Sequence, residues 1–203
     1  MKTLIIIDAQ NDFMPGGALA VPDGDLIVPL INKVVHEFDL VVATQDWHPQ
    51  DHLSFASNHE GKKSFEKTML NGIDQTLWPD HCVQGSKGAE FHESLDFRSV
   101  EAIFRKGMDR TVDSYSGFFD NGRRKSTGLA GYLREKQVTE LFLCGLAGDF
   151  CVAYTARDAL KEGFSVTLIE DAIRSLGGDS FQRIKEELLI SGARTVHHSE
   201  VLS

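Results

Sequence analysis

Four stretches of unbroken apolar residues constrain this chain most: Leu4-Ile5-Ile6-Ile7, Leu40-Val41-Val42-Ala43, Leu141-Phe142-Leu143-Cys144 and Val166-Thr167-Leu168-Ile169. A fifth, shorter run is Val100-Glu101-Ala102-Ile103-Phe104. A strand with one wet face alternates apolar and polar residues. A continuous run needs cover on both faces, as in a parallel sheet between helices. Helical stripes fall between the runs. Residues 26–37 carry Leu26, Ile27, Leu30, Ile31, Val34 and Val35; residues 149–162 carry Val152, Ala156, Ala159 and Leu160, with Gly163 as the stop. Residues 179–191 carry Ile184, Leu188 and Leu189, with Asp179 as N-cap and Gly192 beyond the end. Ala193–Val196 reads as a last short strand. This alternation predicts a three-layer, Rossmann-like α/β fold with a mainly parallel central sheet and helices on both faces. The 203 residues suffice for a single domain spanning 1–203, with no repeat or linker to divide it.

Two segments interrupt the rhythm, 45–90 and 107–128. Long loops in a compact domain are usually functional or disordered. Trp47, Trp78, Tyr115, Phe118 and Phe119 argue against disorder here. The net charge of −9 disfavours nucleic acid and anionic membranes as partners, since both need a basic face. No apolar run reaches the length of a membrane span, and MKTLIIIDAQ reads as a strand rather than a leader. Three scattered cysteines, Cys82, Cys144 and Cys151, point to reduced thiols and a cytoplasmic setting. The sequence is compatible with a homo-oligomer and leaves the oligomeric state open.

Ligands of open α/β sheets sit beyond the carboxyl ends of the strands. Asp8 ends the first run, Asp46 and His48 end the second, Lys106 follows the run at 100–104, and Cys151 follows the run at 141–144 after a glycine-rich turn. In GLAGDFCVAYTA, Cys151 falls at the start of a helix, where free N–H groups and the macrodipole would lower the thiol pKa and could hold an oxyanion. Taken alone, Cys151 reads equally as a small core residue, Asp8 as a cap and Lys106 as a solvated side chain. Together they could supply a nucleophile, a base and a balancing cation. Asp46 and His48, two apart, can point the same way. A third metal ligand would come from His52 or His81, and a structural histidine is about as common as a ligand.

Five segments, LIIIDAQNDFMPGGALAV, ATQDWHPQDHLSFASNH, LWPDHCVQGS, FRKGMDRTVDSYSGFFDN and LCGLAGDFCVAYTARDA, stand in one order over nearly the whole chain. In these the sequence resembles the nicotinamidases (pyrazinamidases) of the isochorismatase-like cysteine hydrolase superfamily. The resemblance implies a triad of Asp8, Lys106 and Cys151. It implies an oxyanion hole from the N–H groups of Ala147 and Cys151, after a cis Leu146–Ala147 bond. It implies one divalent metal on Asp46, His48 and His81, zinc first and iron or manganese as alternatives. His52 is placed behind the ligands or against a metal-bound water, and Phe13, Trp78, Tyr115 and Leu146 around the substrate. The implied activity is hydrolysis of nicotinamide to nicotinate and ammonia, in NAD salvage, with pyrazinamide also accepted. Three other readings stay open: a hydrolase of aliphatic amides on the same triad, a metallohydrolase in which Cys151 is structural, and a binding module that keeps the pocket without turnover.

Overall fold

The computed structural model describes residues 1–177 and 180–202. Asp179, expected as a helix cap, lies outside the described residues. Six parallel strands form the central sheet, in the order β5-β2-β1-β6-β7-β8. They are β1 (Lys2–Ile7), β2 (Leu40–Asp46), β5 (Val100–Lys106), β6 (Glu140–Gly145), β7 (Ser165–Ile173) and β8 (Arg194–Val196). Ile5 of β1 sits opposite Val42 of β2 on one side and Leu143 of β6 on the other.

The continuous apolar runs do what their pattern requires. Successive side chains of β1 point to opposite faces. Leu4 and Ile6 join one core with Ile27, Ile31 and Val34 of helix α1 (Ile27–Val34). Ile5 and Ile7 join the other with Leu129 and Leu133 of α2 (Leu129–Glu135) and Ala156 and Ala159 of α3 (Ala153–Lys161). Each fully buried Leu or Ile contributes roughly 1.5–3 kcal/mol, so the two cores fix the three-layer order. Helices α4 (Ser180–Ile190) and α5 (His198–Val201) complete the chain. β5 differs from the other expected strands. It lies at the sheet edge and alternates half-buried and exposed positions until Lys106, the one buried residue of the strand. That is why its apolar run looked short and broken.

The structure adds three features to the sequence reading. The expected loop over 45–90 holds an antiparallel hairpin, β3 (Lys67–Leu70) and β4 (Ile73–Thr76). Its turn, Asn71-Gly72, has both residues at positive φ (50° and 78°), the geometry two-residue hairpins prefer. Helix α2 was not foreseen, since a seven-residue stripe is too short to stand out. The helix expected from residue 149 begins instead with a π-type turn over Gly148–Val152, and Gly163 follows α3 at φ 90° as expected of a stop.

Candidate active site

Four adjacent strands, β5, β2, β1 and β6, deliver their carboxyl ends to one cleft. Asp8 follows β1 with a left-handed backbone (φ 46°), rare for a non-glycine residue and characteristic of functional sites. Lys106 is the last residue of β5, opposite Asp46 in the parallel register. Cys151 lies in the π-type turn after β6. Gly145 makes the approach of β6 to β1 close: a Cβ there would come 2.0 Å from the Ile7 carbonyl oxygen.

Lys106 is the centre of this arrangement. It is 2% exposed, and its Nζ stands 2.5 Å from Asp46 Oδ1, 2.9 Å from Asp8 Oδ2 and 3.4 Å from Cys151 Sγ. It also donates to the Ser114 carbonyl at 3.0 Å. Burial disfavours the cation, but Asp46, Asp8 and Cys151 hold its pKa well above the usual lysine value. Thr44 donates to Asp8 Oδ1 at 2.7 Å. Asp8 Oδ2 is buried and pairs with the Lys106 ammonium at 2.9 Å, on the side that also faces the Cys151 thiol. Burial raises the Asp8 pKa, with Lys106 opposing and Asp46 adding to the rise.

One electrostatic expectation is overturned. The Cys151 thiol is not lowered towards thiolate; burial pushes it well above the ordinary value, and the nearby carboxylates of Asp8 and Asp46 add to this against the pull of Lys106. A helix N-terminus is a weak local field. Two buried carboxylates and removal from water outweigh it. Asp8 is the neighbour placed to take the thiol proton.

Asp46 turns its second oxygen the other way. Oδ2 lies 3.6 Å from His48 Nε2 and 3.8 Å from His81 Nε2. His48 Nδ1 is 2.9 Å from the Gly107 carbonyl and His81 Nδ1 is 2.8 Å from the Pro79 carbonyl. A carbonyl only accepts, so both Nδ1 atoms carry the proton and both Nε2 lone pairs face the carboxylate. With both rings neutral, three buried acceptors converge, and a divalent cation fits that donor set. Burial and then His48 hold His81 down at about 4, neutral as a ligand must be. Burial likewise opposes a charged His48 ring, but Asp46 raises its pKa above the ordinary value. Gly107 (φ 68°) must be glycine, since a Cβ would fall 2.3 Å from the His48 ring.

His52 is fully buried beside His48, their ring centroids 4.6 Å apart, yet it differs in tautomer. Its Nδ1 accepts the Ser54 N–H at 3.1 Å, so the proton sits on Nε2, which has no lone pair to offer. That Nε2 is buried without a hydrogen-bond partner.

A narrow cleft lies between the two clusters. Phe13, Trp78 and Tyr115 line it as expected, together with Ala147. Leu146 does not: its side chain is buried in the α1-side core, against the position of Gly24. The peptide bond Leu146–Ala147 is cis. Several residues here went unforeseen. Phe150 packs edge-on against Trp78 (4.9 Å between centroids) and Tyr115 (5.5 Å). Leu176 closes the wall, and Asp113, 3% exposed, adds a carboxylate that accepts from Gln75 Nε2 at 2.8 Å. Gln10, fully buried, accepts the Asp46 N–H and donates to the Asp46 carbonyl, each at 2.8 Å, and donates also to Ala89. No local sequence signal marks these residues, since each depends on a partner distant in the chain.

A doubly covered parallel sheet with a buried Cys–Lys–Asp cluster beside an Asp–His–His cluster defines a class of α/β cysteine hydrolase folds. The family model for the isochorismatase domain matches residues 2–198, and the chain belongs to the isochorismatase family. It is 47% identical over 200 residues to the nicotinamidase of Acinetobacter baylyi, covering 98% of this chain and 94% of that one. Its structure superposes on an Acinetobacter baumanii nicotinamidase/pyrazinamidase with a TM-score of 0.96 at 42% identity, covering 99% and 98% of the two chains. It also resembles a Pyrococcus horikoshii pyrazinamidase in complex with zinc (TM-score 0.80, 38% identity, 97% and 98% covered).

Proposed function

We propose that this chain is a nicotinamide amidohydrolase that releases nicotinate and ammonia and also accepts pyrazinamide. The observation that carries the reading is the buried contact of Cys151 Sγ with Lys106 Nζ at 3.4 Å, beside Asp8, on the wall of an aromatic cleft. The relatives' names point the same way.

In this mechanism Asp8 takes the Cys151 proton as the sulfur attacks the carboxamide carbon. Lys106 stays charged and offsets the negative charge that forms between them. The N–H groups of Ala147 and Cys151 hold the oxyanion, an effect of about 3 kcal/mol per donor. Protonated Asp8 then gives its proton to the departing ammonia, leaving a thioester on Cys151. Water, deprotonated by Asp8, hydrolyses the thioester, and the carboxylate product leaves with the thiol restored. The raised pKa of Asp8 suits this double role, because an acid–base group works best near the working pH. Phe13, Trp78, Tyr115 and Phe150 sandwich the flat ring.

Asp46, His48 and His81 would hold one divalent ion, with zinc the first choice and iron or manganese as alternatives. Bound there, it supplies a Lewis-acid contact for the ring nitrogen and orients the ring. His52, with its proton on Nε2, packs beside His48 rather than ligating the ion. We read residues 1–203 as one isochorismatase-like hydrolase domain, and the three free cysteines support a reducing, cytoplasmic setting. Among the described residues no helix is long and apolar enough to cross a membrane.

The test is ammonia release from nicotinamide, pyrazinamide and benzamide, with and without chelator. Turnover of the first two, loss with chelator and poor turnover of benzamide are expected. Equal turnover of benzamide would remove the ring-nitrogen role of the metal, and no release from nicotinamide would sink the reading.

A further inference from the structure

A second cluster of one aspartate and two histidines lies outside the cleft. Asp171 is on β7; His197 follows β8, and His198 opens α5. Both rings reach the same oxygen: His197 Nε2 is 2.9 Å and His198 Nδ1 2.5 Å from Asp171 Oδ2. The other oxygen, Oδ1, accepts the His198 backbone N–H at 2.8 Å. The ring centroids are 4.6 Å apart, and the two nitrogens and one carboxylate oxygen all lie within 4.8 Å of one another. Burial disfavours the Asp171 carboxylate, but the hydrogen bonds from His198 keep its pKa below the ordinary value. The histidines are open to solvent to different degrees, His197 at 50% and His198 at 15%.

We propose that Asp171, His197 and His198 form a second, solvent-accessible site for a divalent transition metal, independent of the hydrolase reading. Two imidazole nitrogens and one carboxylate oxygen suit zinc, nickel or copper rather than magnesium or calcium, which prefer all-oxygen shells.

The proton bookkeeping permits it. With both rings neutral, each donates one N–H to Oδ2. Binding at His197 Nε2 and His198 Nδ1 moves each proton to the other nitrogen of the same ring, so no net proton is released. The His197 Nδ1 proton then has an acceptor, because Ser199 Oγ stands 2.8 Å away. The cost is the helix cap, since His197 Nδ1 now accepts the Ser199 N–H at 3.4 Å as the side-chain cap of α5. An ion here would tie the C-terminal segment to β7, and binding to the folded state alone raises thermal stability.

The experiment compares the zinc-loaded full chain with its His197→Gln/His198→Gln variant. Both are equilibrated with excess zinc and then assayed for bound metal by mass spectrometry. The wild type should hold one equivalent more, and Asp171→Asn should weaken the extra site at least about tenfold. Nickel should raise the melting temperature of the wild type and leave that of the double variant unmoved, while ammonia release from nicotinamide is the same in both. Circular dichroism in chelated buffer checks the variant's fold. His197→Gln alone, which keeps the His198–Asp171 pair, carries the test if the double variant misfolds. Equal zinc content in the wild type and the folded variants overturns the proposal, as does a nickel stabilisation that survives the substitutions.

Discussion

Around Cys151, side chains hold one another by charge, whereas around His48 and His81 the backbone holds the side chains. Lys106 reaches Asp46, Asp8 and Cys151 within 3.4 Å, and no one of these positions is independent of the others. The two rings are each oriented by a main-chain carbonyl, from Gly107 and Pro79. The first half suits proton movement, because its groups exchange charge. The second suits a fixed anchor, because its tautomers are set before any ligand arrives. Asp46 belongs to both, with Oδ1 on Lys106 and Oδ2 towards the histidines. The two halves should therefore separate under mutation everywhere except at Asp46 and its partners.

The largest effect should come from Cys151→Ala. Loss of a nucleophile costs on the order of 10⁴–10⁶ in turnover. The anchor should survive it, so bound zinc measured after dialysis should match the wild type. His81→Ala should do the reverse to the metal content while leaving the thiol alkylable by iodoacetamide. If Cys151→Ala loses the metal, the halves are not separable as described.

Lys106→Met comes next and strikes the join. Removing one partner of a buried ion pair costs about 3–5 kcal/mol, measurable by urea unfolding. The pH dependence has a definite sign. Burial opposes ionisation of Asp46, but Lys106, His48 and His81 overcome it and hold the carboxyl far below the usual carboxylate range. A depressed acid contributes stability that is full above its unfolded value, about 4, and lost as pH falls further. Without Lys106 that contribution should shrink, and its loss should be complete at a higher pH. An acid-unfolding curve merely offset from the wild type, with unchanged shape, would show that Lys106 does not set the Asp46 pKa.

The strand ends were legible in the sequence because they need only local pattern and one topological rule. Continuous apolar runs imply a covered parallel sheet, and parallel strands place their carboxyl ends together. Asp8, Asp46, Lys106 and Cys151 could be placed at the cleft on that basis alone. What failed was anything requiring long-range summation. The thiol reading weighed a helix terminus and could not see the two carboxylates that close in around Cys151. The histidine reading could not choose between His52 and His81, because tautomers depend on the Ser54 N–H and the Pro79 carbonyl. Leu146 adjoins the cis bond in sequence, but its side chain goes to the core. Asn71-Gly72 was a visible turn signal inside a segment otherwise read as loop.

Gln10 offers the finest test of the comparison, because it acts on the anchor without touching a ligand side chain. Its amide pairs with both backbone groups of Asp46 and also caps the Ala89 carbonyl. Gln10→Glu keeps the size and the acceptor for the Asp46 N–H but removes both donations and sets a carboxylate against two carbonyls. Each buried group left unpaired costs about 1–3 kcal/mol, so the end of β2 should shift or loosen, and with it the Asp46 carboxylate. Supporting residues of metal sites typically change affinity about 10–100-fold. Zinc should therefore pass to a competing chelator at correspondingly lower chelator concentration. Iodoacetamide should still label Cys151, since Gln10 has no contact with the thiol among its hydrogen bonds. Unchanged zinc affinity in Gln10→Glu would mean that Asp46 is positioned by Lys106 alone, and that charge rather than backbone sets the anchor as well.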